Sequence, residues 1–163
     1  MKTIYLAGGC FWGAQRFFDQ FEGVLSTEVG YANGPGETAT YEQVCSDSGH
    51  AETVRVEFDE EVITAAQLME YYFMIIDPTS VNKQGEDEGV QYRTGVYYED
   101  PALLPELEEA FKKEEAKIGK KLAVELMPLQ NFCPAEEYHQ KYLVKNPTGY
   151  CHIAPWLLNL KKA

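Results

Sequence analysis

The chain has 163 residues, 45% of them hydrophobic and 25% charged, and is therefore long enough to bury a substantial core. Its 26 acidic and 14 basic residues give a formal charge of −12, which argues against nucleic acid and anionic membranes as partners. No stretch approaches the about 20 apolar residues of a membrane-spanning helix, and no targeting signal is evident. We expect a single domain over residues 1–163, located in the cytoplasm.

The N-terminal part of the sequence predicts a strand, a helix and a second strand. Residues 3–7 are typical of a short buried strand, and residues 24–31 are a second strand candidate. A helix is predicted over residues 11–21, because its apolar side chains have i, i+3, i+4, i+7 spacing: Ala14, Phe17, Phe18 and Phe21.

Cys10 lies in the sequence Gly-Gly-Cys-Phe-Trp-Gly, immediately before this helix. Unpaired N–H groups and the helix dipole favour an anion there, which can lower a thiol pKa from about 8.5 to roughly 3.5–7.5 and produce a nucleophilic thiolate. Phe11 and Trp12 are suited to wall an apolar pocket beside the sulfur. Cys10 could instead be a buried structural cysteine or part of a lipoprotein signal. The segment between Lys2 and the glycines is shorter than the roughly 7–15 apolar residues of a signal peptide, which argues against the lipoprotein signal.

The next elements are a polar loop, a strand and a helix. Residues 32–39 are rich in glycine and proline, and residues 53–58 alternate strictly between apolar and polar, which predicts a half-buried strand. Thr64 and Gln67 form a capping box that opens a helix through Ile76.

The second half of the chain predicts one further packed helix between two strands. In order, we predict an irregular segment over 79–90, a strand over 92–98, a helix that begins after Asp100-Pro101 and ends at Gly119, a strand over 122–127, a short helix over 135–143 and an extended tail. The first six elements follow the β-α-β-β-α-β order of the split βαβ plan. We therefore predict an α+β fold, a ferredoxin-like two-layer sandwich with an additional helix, a strand and an extended C-terminal tail.

The four cysteines contain no Cys-x-x-Cys pair, which argues against a zinc ribbon and a thioredoxin-type active site. A zinc site from Cys133, His139, Cys151 and His152 fits no standard spacing. The residues also permit an aromatic-rich peptide-binding domain without catalysis, or a cysteine hydrolase or acyltransferase. In the hydrolase or acyltransferase, the base to Cys10 would be His50, His139 or His152.

Several motifs together carry a family resemblance. In chain order they are GCFWG (9–13), TYEQVCS (40–46), GHAE (49–52), the run NKQGEDEGVQYR (82–93), PAEEYHQ (134–140) and NPTGYC (146–151). With these motifs the chain resembles the type A peptide-methionine (S)-S-oxide reductases over nearly its whole length. The resemblance implies a single catalytic domain that reduces methionine S-sulfoxide, free or in oxidised proteins, without a metal or organic cofactor.

The resemblance also implies roles for individual residues. Cys10 would attack the sulfoxide sulfur, and Glu52 would protonate the sulfoxide oxygen, for which a desolvating pocket must raise the pKa of Glu52. The hydroxyls of Tyr41 and Tyr92 would hydrogen-bond the same oxygen.

Substrate binding and recycling follow by the same resemblance. Phe11 and Trp12 would hold the ε-methyl group, and Asp87 the backbone amide of the substrate. The attack leaves a sulfenic acid on Cys10, which a second thiol condenses to a disulfide that a thioredoxin-like reductant clears.

The choice of the resolving thiol is less direct. We favour Cys151, in the NPTGYC match, over Cys133, which stands where family members commonly have an aromatic residue. The chain also departs from the family in its tail, where Pro-Trp-Leu-Leu (155–158) replaces the glycine-rich, cysteine-bearing end of many members. We interpret Cys45 as buried and structural.

Overall fold

The computed structural model of the chain describes residues 2–8, 11–32, 51–76, 83–84, 87–88, 93–129, 132–135 and 140. The strands in these ranges are β1 (Lys2–Ala7), β2 (Val24–Ala32), β3 (Ala51–Phe58), β4 (Lys83–Gln84), β5 (Asp87–Glu88), β6 (Gly95–Tyr98), β7 (Glu125–Pro128) and β8 (Phe132–Pro134). The α-helices are α1 (Phe11–Phe18), α2 (Ala65–Ile75) and α3 (Leu104–Ile118), the last preceded by a 3₁₀ turn at Pro101–Leu103.

Six strands form one mixed sheet in the order β7-β6-β1-β3-β2-β8, while β4 and β5 pair as a separate small hairpin. Only β6 and β7 run parallel; the other neighbouring pairs are antiparallel. Because β1 is hydrogen-bonded to β3 and β6, it lies near the middle of the sheet. The fold is therefore α+β, as the sequence predicted.

The three helices cover one face of the sheet. Alternate residues of the central strands, such as Leu6 and Val54, share a buried cluster with Phe17 of α1, Leu68 of α2 and Leu107 of α3. Burying a side chain of this size contributes about 1.5–3 kcal/mol, so this layer supplies the main stabilisation of the fold. A smaller cluster with Tyr5 and Tyr97 lies on the opposite face.

The element predictions are confirmed with shifted boundaries. The first helix ends at Phe18 rather than at residue 21, although Phe21 is still buried and contacts Phe17 edge-on. The strand predicted over 53–58 begins at Ala51 and is more deeply buried than expected, since Thr53 is also fully buried. The strand predicted over 92–98 is observed from Gly95, and the next, predicted over 122–127, is Glu125–Pro128.

The helix caps read from the sequence are present. Thr64 accepts a hydrogen bond from the Gln67 backbone N–H at 3.1 Å, and the Gln67 side chain accepts from the Thr64 N–H at 2.9 Å. Asp100 accepts from the Ala102 N–H at 3.0 Å, and Gly119 ends α3 with a φ of 71°. None of the helices in the described part of the chain is long and apolar enough to span a membrane.

Three short strands were not predicted, and some predicted regions lie outside the described residues. Strands β4 and β5 pair as a hairpin inside the segment 79–90, which was predicted to be irregular. Strand β8 was not predicted, because its three residues are too short to show a periodicity; pairing with β2 defines it. The loop over 33–39, the helix predicted over 135–143, apart from Ala135 and Gln140, and the tail lie outside the described residues.

Candidate active site

Several described strands begin or end at one end of the sheet, next in sequence to the motif segments. Here β1 and β2 end, while β3, β6 and β8 begin, as the antiparallel registers require. In chain order, Cys10 comes three residues after β1, Tyr41 belongs to the β2–β3 connection, Glu52 is the second residue of β3, and Tyr92 comes three residues before β6. We call this end of the sheet the site end; at the far end, β1 begins and β3 finishes.

Glu52 is the one proposed catalytic residue whose side chain is described. It is 1% exposed, and it stands in register with Tyr31 of β2 on the helix-covered face of the sheet. Strand β1 stops pairing one residue earlier, where Ala7 faces Thr53, so Glu52 lies where β1 leaves the sheet toward α1. A carboxyl group this buried is costly to ionise, which suits an acid that holds a proton.

Helix α1 is anchored to β2 and to the core within its first five residues. Trp12 is half-buried against the main core, and the buried Gln15 donates from Nε2 to Thr27 Oγ1 at 3.3 Å. Phe11 is the first residue of α1, and its side chain is outside the described set. The helix is therefore fixed near its N-terminus, which directly follows Cys10 in sequence.

Helix α2 packs behind the end of β1. Tyr72 donates its hydroxyl hydrogen to the Ala7 carbonyl and accepts from the Gly95 N–H at 3.1 Å. Gly8 has no space for a side chain, since a Cβ there would lie 2.5 Å from Ile76 Cγ2. The buried Thr94 also lies against Gly8, and within the described structure its Oγ1 has no hydrogen-bond partner.

Gln140, the last residue of the PAEEYHQ motif, is bonded to β2. Its Oε1 accepts from the Val29 N–H at 3.0 Å and its Nε2 donates to the Val29 carbonyl at 2.9 Å. The side-chain amide thus extends the hydrogen bonding along β2 beyond the end of β8. The preceding β8 register places Cys133 opposite Tyr31, which in turn pairs with Glu52.

The remaining sequence candidates are only partly placed. Asp87 pairs with Gln84 in the β4–β5 hairpin, and its side chain is outside the described set. Cys10, Tyr41, Tyr92 and Cys151 lie outside the described residues. In the described ranges no three His, Cys, Asp or Glu side chains group as a metal site would require.

Sequence reasoning overlooked Tyr72, Thr94 and the bond between Gln140 and Val29. Gln140 lies inside the PAEEYHQ motif, so the sequence did contain a signal that could have pointed to it. Tyr72 gave none, because a tyrosine on an apolar helix face is usually part of the core.

Comparison with known proteins agrees with this arrangement. A family model described as peptide methionine sulfoxide reductase matches residues 2–162. A peptide methionine sulfoxide reductase MsrA of Lachnoclostridium phytofermentans is 53% identical over 153 residues, covering 93% of this chain and 92% of its own.

Solved structures agree as well. Saccharomyces cerevisiae Mxr1 in reduced form has a TM-score of 0.88 at 39% identity, covering 94% of this chain and 91% of its own. The same yeast protein in complex with Trx2 has a TM-score of 0.61 at 29% identity, covering 86% and 84%. The resemblance drawn from the motifs is confirmed: the chain belongs to the peptide methionine sulfoxide reductase family.

Proposed function

We propose that this protein reduces the S epimer of methionine sulfoxide, free or in oxidised proteins, with Cys10 as the nucleophile. The observation that carries the proposal is the buried Glu52 carboxyl at the sheet end where β1 leads into α1. A proton donor and an activated thiol are the two groups that sulfoxide reduction requires. Family membership supports the same chemistry.

In the proposed reductive step, the Cys10 thiolate attacks the sulfoxide sulfur while Glu52 transfers a proton to the sulfoxide oxygen. The transient bond between the two sulfurs and the S–O bond of the substrate then break as the oxygen passes to Cys10 as a sulfenic acid. Cys10 is oxidised by two electrons, and methionine leaves with its sulfur reduced by two. Hydroxyls of Tyr41 and Tyr92 stabilise the oxygen as its charge develops.

Substrate binding uses apolar and polar groups around these residues. We assign the ε-methyl group to Phe11 and Trp12, and the substrate backbone amide to Asp87. The half-buried position of Trp12 beside the core, at the start of α1, supports its part in this assignment. A pocket that fixes methyl and oxygen against one thiolate trajectory accepts one epimer.

Recycling requires a second thiol. We propose that Cys151 condenses with the Cys10 sulfenic acid, releasing water and forming a disulfide that a thioredoxin-like protein reduces. The complex of yeast Mxr1 with Trx2 supports such a partner. Cys133 is the second candidate, and its register position on β8, two strands from Glu52 at the same sheet end, is the observation in its favour.

We also propose a single catalytic domain, built on the ferredoxin-like split β-α-β plan. The order β6-β1-β3-β2, with α1 and α2 each connecting two parallel strands across the strand between them, supports this description. A cycle that ends on a thioredoxin-like reductant requires a reducing compartment, and we assign the protein to the cytoplasm.

The test is thiol-dependent turnover of the separate S and R epimers by the wild type and by Cys10→Ser. We expect turnover of the S epimer by the wild type only. Comparable rates on the R epimer, or turnover by Cys10→Ser, would contradict the proposal.

A second experiment assigns the resolving thiol. The enzyme is treated with one equivalent of methionine sulfoxide without reductant, and its disulfides are mapped by peptide mass spectrometry. We expect a Cys10–Cys151 linkage. A dominant Cys10–Cys133 linkage, with Cys151→Ser still recycling through thioredoxin at the wild-type rate, would transfer the role to Cys133.

A further inference from the structure

The hydroxyl of Tyr72 occupies an unusual place at the site end of the sheet. Ala7 and Gly95 form the last residue pair between β1 and β6, and the Tyr72 hydroxyl lies between their backbones. It donates to the Ala7 carbonyl and accepts from the Gly95 N–H at 3.1 Å, and the Gly95 carbonyl is 3.2 Å away. One side chain from α2 therefore joins the ends of two strands.

This bridge requires a neutral hydroxyl, because a phenolate accepts hydrogen bonds but cannot donate one. Tyr72 is 1% exposed, and this burial raises its pKa well above the ordinary value of 10.0. The hydroxyl is therefore protonated at neutral pH, as the donation to the Ala7 carbonyl requires.

The two strand ends continue directly into proposed catalytic residues. Cys10 comes three residues after Ala7, and Tyr92 comes three residues before Gly95. Gly8 is packed under the same part of α2, since a Cβ there would lie 3.7 Å from Tyr72 Cε1 and 2.5 Å from Ile76 Cγ2. The backbone on the way to Cys10 is therefore held by a hydrogen bond and by close packing.

We propose that Tyr72 is a positioning residue, whose hydroxyl bridge from Ala7 to Gly95 fixes the separation of the segments carrying the nucleophile Cys10 and the hydrogen-bond donor Tyr92. This inference rests on the proposed function. It adds to it a residue that acts through the backbones of β1 and β6. The bridge holds the last residue pair of β1 and β6, from which these two segments continue.

Tyr72→Phe removes the hydroxyl and keeps the ring. Because misplacement by about 1 Å can cost about 100-fold, we expect the single-turnover rate at saturating S-sulfoxide to fall about 10- to 100-fold. We expect the half-saturating sulfoxide concentration to change less than about 2-fold, since the methyl pocket is untouched. A purely structural role would not produce this split between rate and affinity.

Two variants are matched controls. Tyr71→Phe removes the hydroxyl of the neighbouring tyrosine on α2, whose ring stacks on Phe21. Tyr5→Phe removes a hydroxyl from β1 that donates to Glu99 at 2.7 Å on the opposite face of the sheet. Both should keep the wild-type single-turnover rate. If Tyr5→Phe slowed the reaction as much as Tyr72→Phe, the effect would reflect general stability, and the inference would be overturned.

A second readout does not depend on the proposed function. The pH profile of iodoacetamide alkylation at Cys10, followed by peptide mass mapping, reports the environment of the thiol. We expect Tyr72→Phe to shift this profile and the controls to leave it in place. An unshifted profile together with a wild-type single-turnover rate would overturn the inference while leaving the proposed function intact, whereas a wild type inactive on both epimers would reject the proposed function alone.

A further variant covers the case in which Tyr72→Phe does not fold. 4-Aminophenylalanine at position 72 keeps the ring and a donor toward Ala7, but accepts poorly from the Gly95 N–H. We expect a single-turnover rate between those of the wild type and Tyr72→Phe. A wild-type rate in this folded variant would show that the Gly95 half of the bridge is dispensable and would overturn the bridging role.

Discussion

The two ends of the sheet place their polar groups differently. At the far end, Lys2 and Asp100 form an ion pair of 2.8 Å between partly exposed side chains. At the site end, the carboxyl of Glu52 and the hydroxyls of Thr94 and Tyr72 are buried. The far end keeps its charges in water, whereas the site end withdraws polar groups from it.

This difference indicates where function constrains the sequence. Burying a polar group costs about 1–3 kcal/mol unless hydrogen bonds compensate, and an unpaired charge costs more. The concentration of buried polar groups at one end, beside the start of α1, is typical of a site where chemistry takes place.

The largest expected effect is that of Glu52→Gln. Loss of the proposed proton donor should slow single-turnover reduction about 10²- to 10⁴-fold while the protein stays folded. The matched control is Glu57→Gln. Glu57 is on the same strand, and its carboxylate forms an ion pair with Arg55 on the opposite face of the sheet. A near-wild-type rate in Glu52→Gln would assign the proton to another group.

Gly8→Ala tests how tightly the site end is packed. The new methyl group would overlap Ile76 Cγ2, and overpacking of this kind costs about 1–3 kcal/mol. Urea denaturation measures the loss in the free energy of unfolding. Gly8→Ala should cost less stability in the Ile76→Ala background than in the wild type, because Ile76→Ala removes the atom that the new methyl group would overlap. Strictly additive losses would show that the two residues do not press on each other.

The buried tyrosines predict alkaline destabilisation. Burial raises the pKa of Tyr72 above 10.0, and the pKa of Tyr5 to about 12. Their stabilising contributions are complete below pH 10 and decrease as the pH rises toward the folded-state values, because the unfolded chain loses these protons first. For each proton that the unfolded chain has lost and the folded chain still holds, the free energy of unfolding falls by about 1.4 kcal/mol per pH unit. Denaturation at pH 9 and 11 should show a smaller fall for Tyr72→Phe than for the wild type.

Thr94→Val and Thr53→Val should change stability in opposite directions. Thr94 Oγ1 is buried without a hydrogen-bond partner in the described structure, so its replacement by a methyl group should raise the free energy of unfolding by about 1 kcal/mol. Thr53 Oγ1 donates to the Ala51 carbonyl at 2.9 Å, so Thr53→Val should lower it by about 1 kcal/mol. Equal losses would show that Thr94 is hydrogen-bonded in solution.

The smallest effect belongs to the far end. Lys2→Met removes an exposed ion pair, and such pairs contribute little. Lys2 lowers the pKa of Asp100, and Asp100 raises that of Lys2. Any contribution is therefore present between about pH 4 and 10 and lost outside that window. At pH 7, in low and in high salt, Lys2→Met and the wild type should have the same free energy of unfolding. A loss of stability in Lys2→Met that depends on salt would show that the far end also relies on an electrostatic interaction.

Local patterns in the sequence predicted most of the fold. The capping box of Thr64 and Gln67, the Asp100 cap and the Gly119 stop depend on groups within a few residues of one another, and all are observed. Motif resemblance, rather than periodicity, supplied the family and the roles that we propose for Cys10 and Glu52. Strand β8 was missed because three residues carry too little pattern to distinguish a strand from a loop.

The sequence by itself determined the order of the longer strands and helices, the caps and the motifs. Only the tertiary structure decided that Glu52 would be buried beside the end of β1, that Tyr72 would bridge Ala7 and Gly95, and that Gln140 would bond Val29, 111 residues away. The physical reason is one of range. Propensities and caps act between neighbours in the chain, whereas these contacts depend on sheet register and helix packing, which join residues that no local pattern connects.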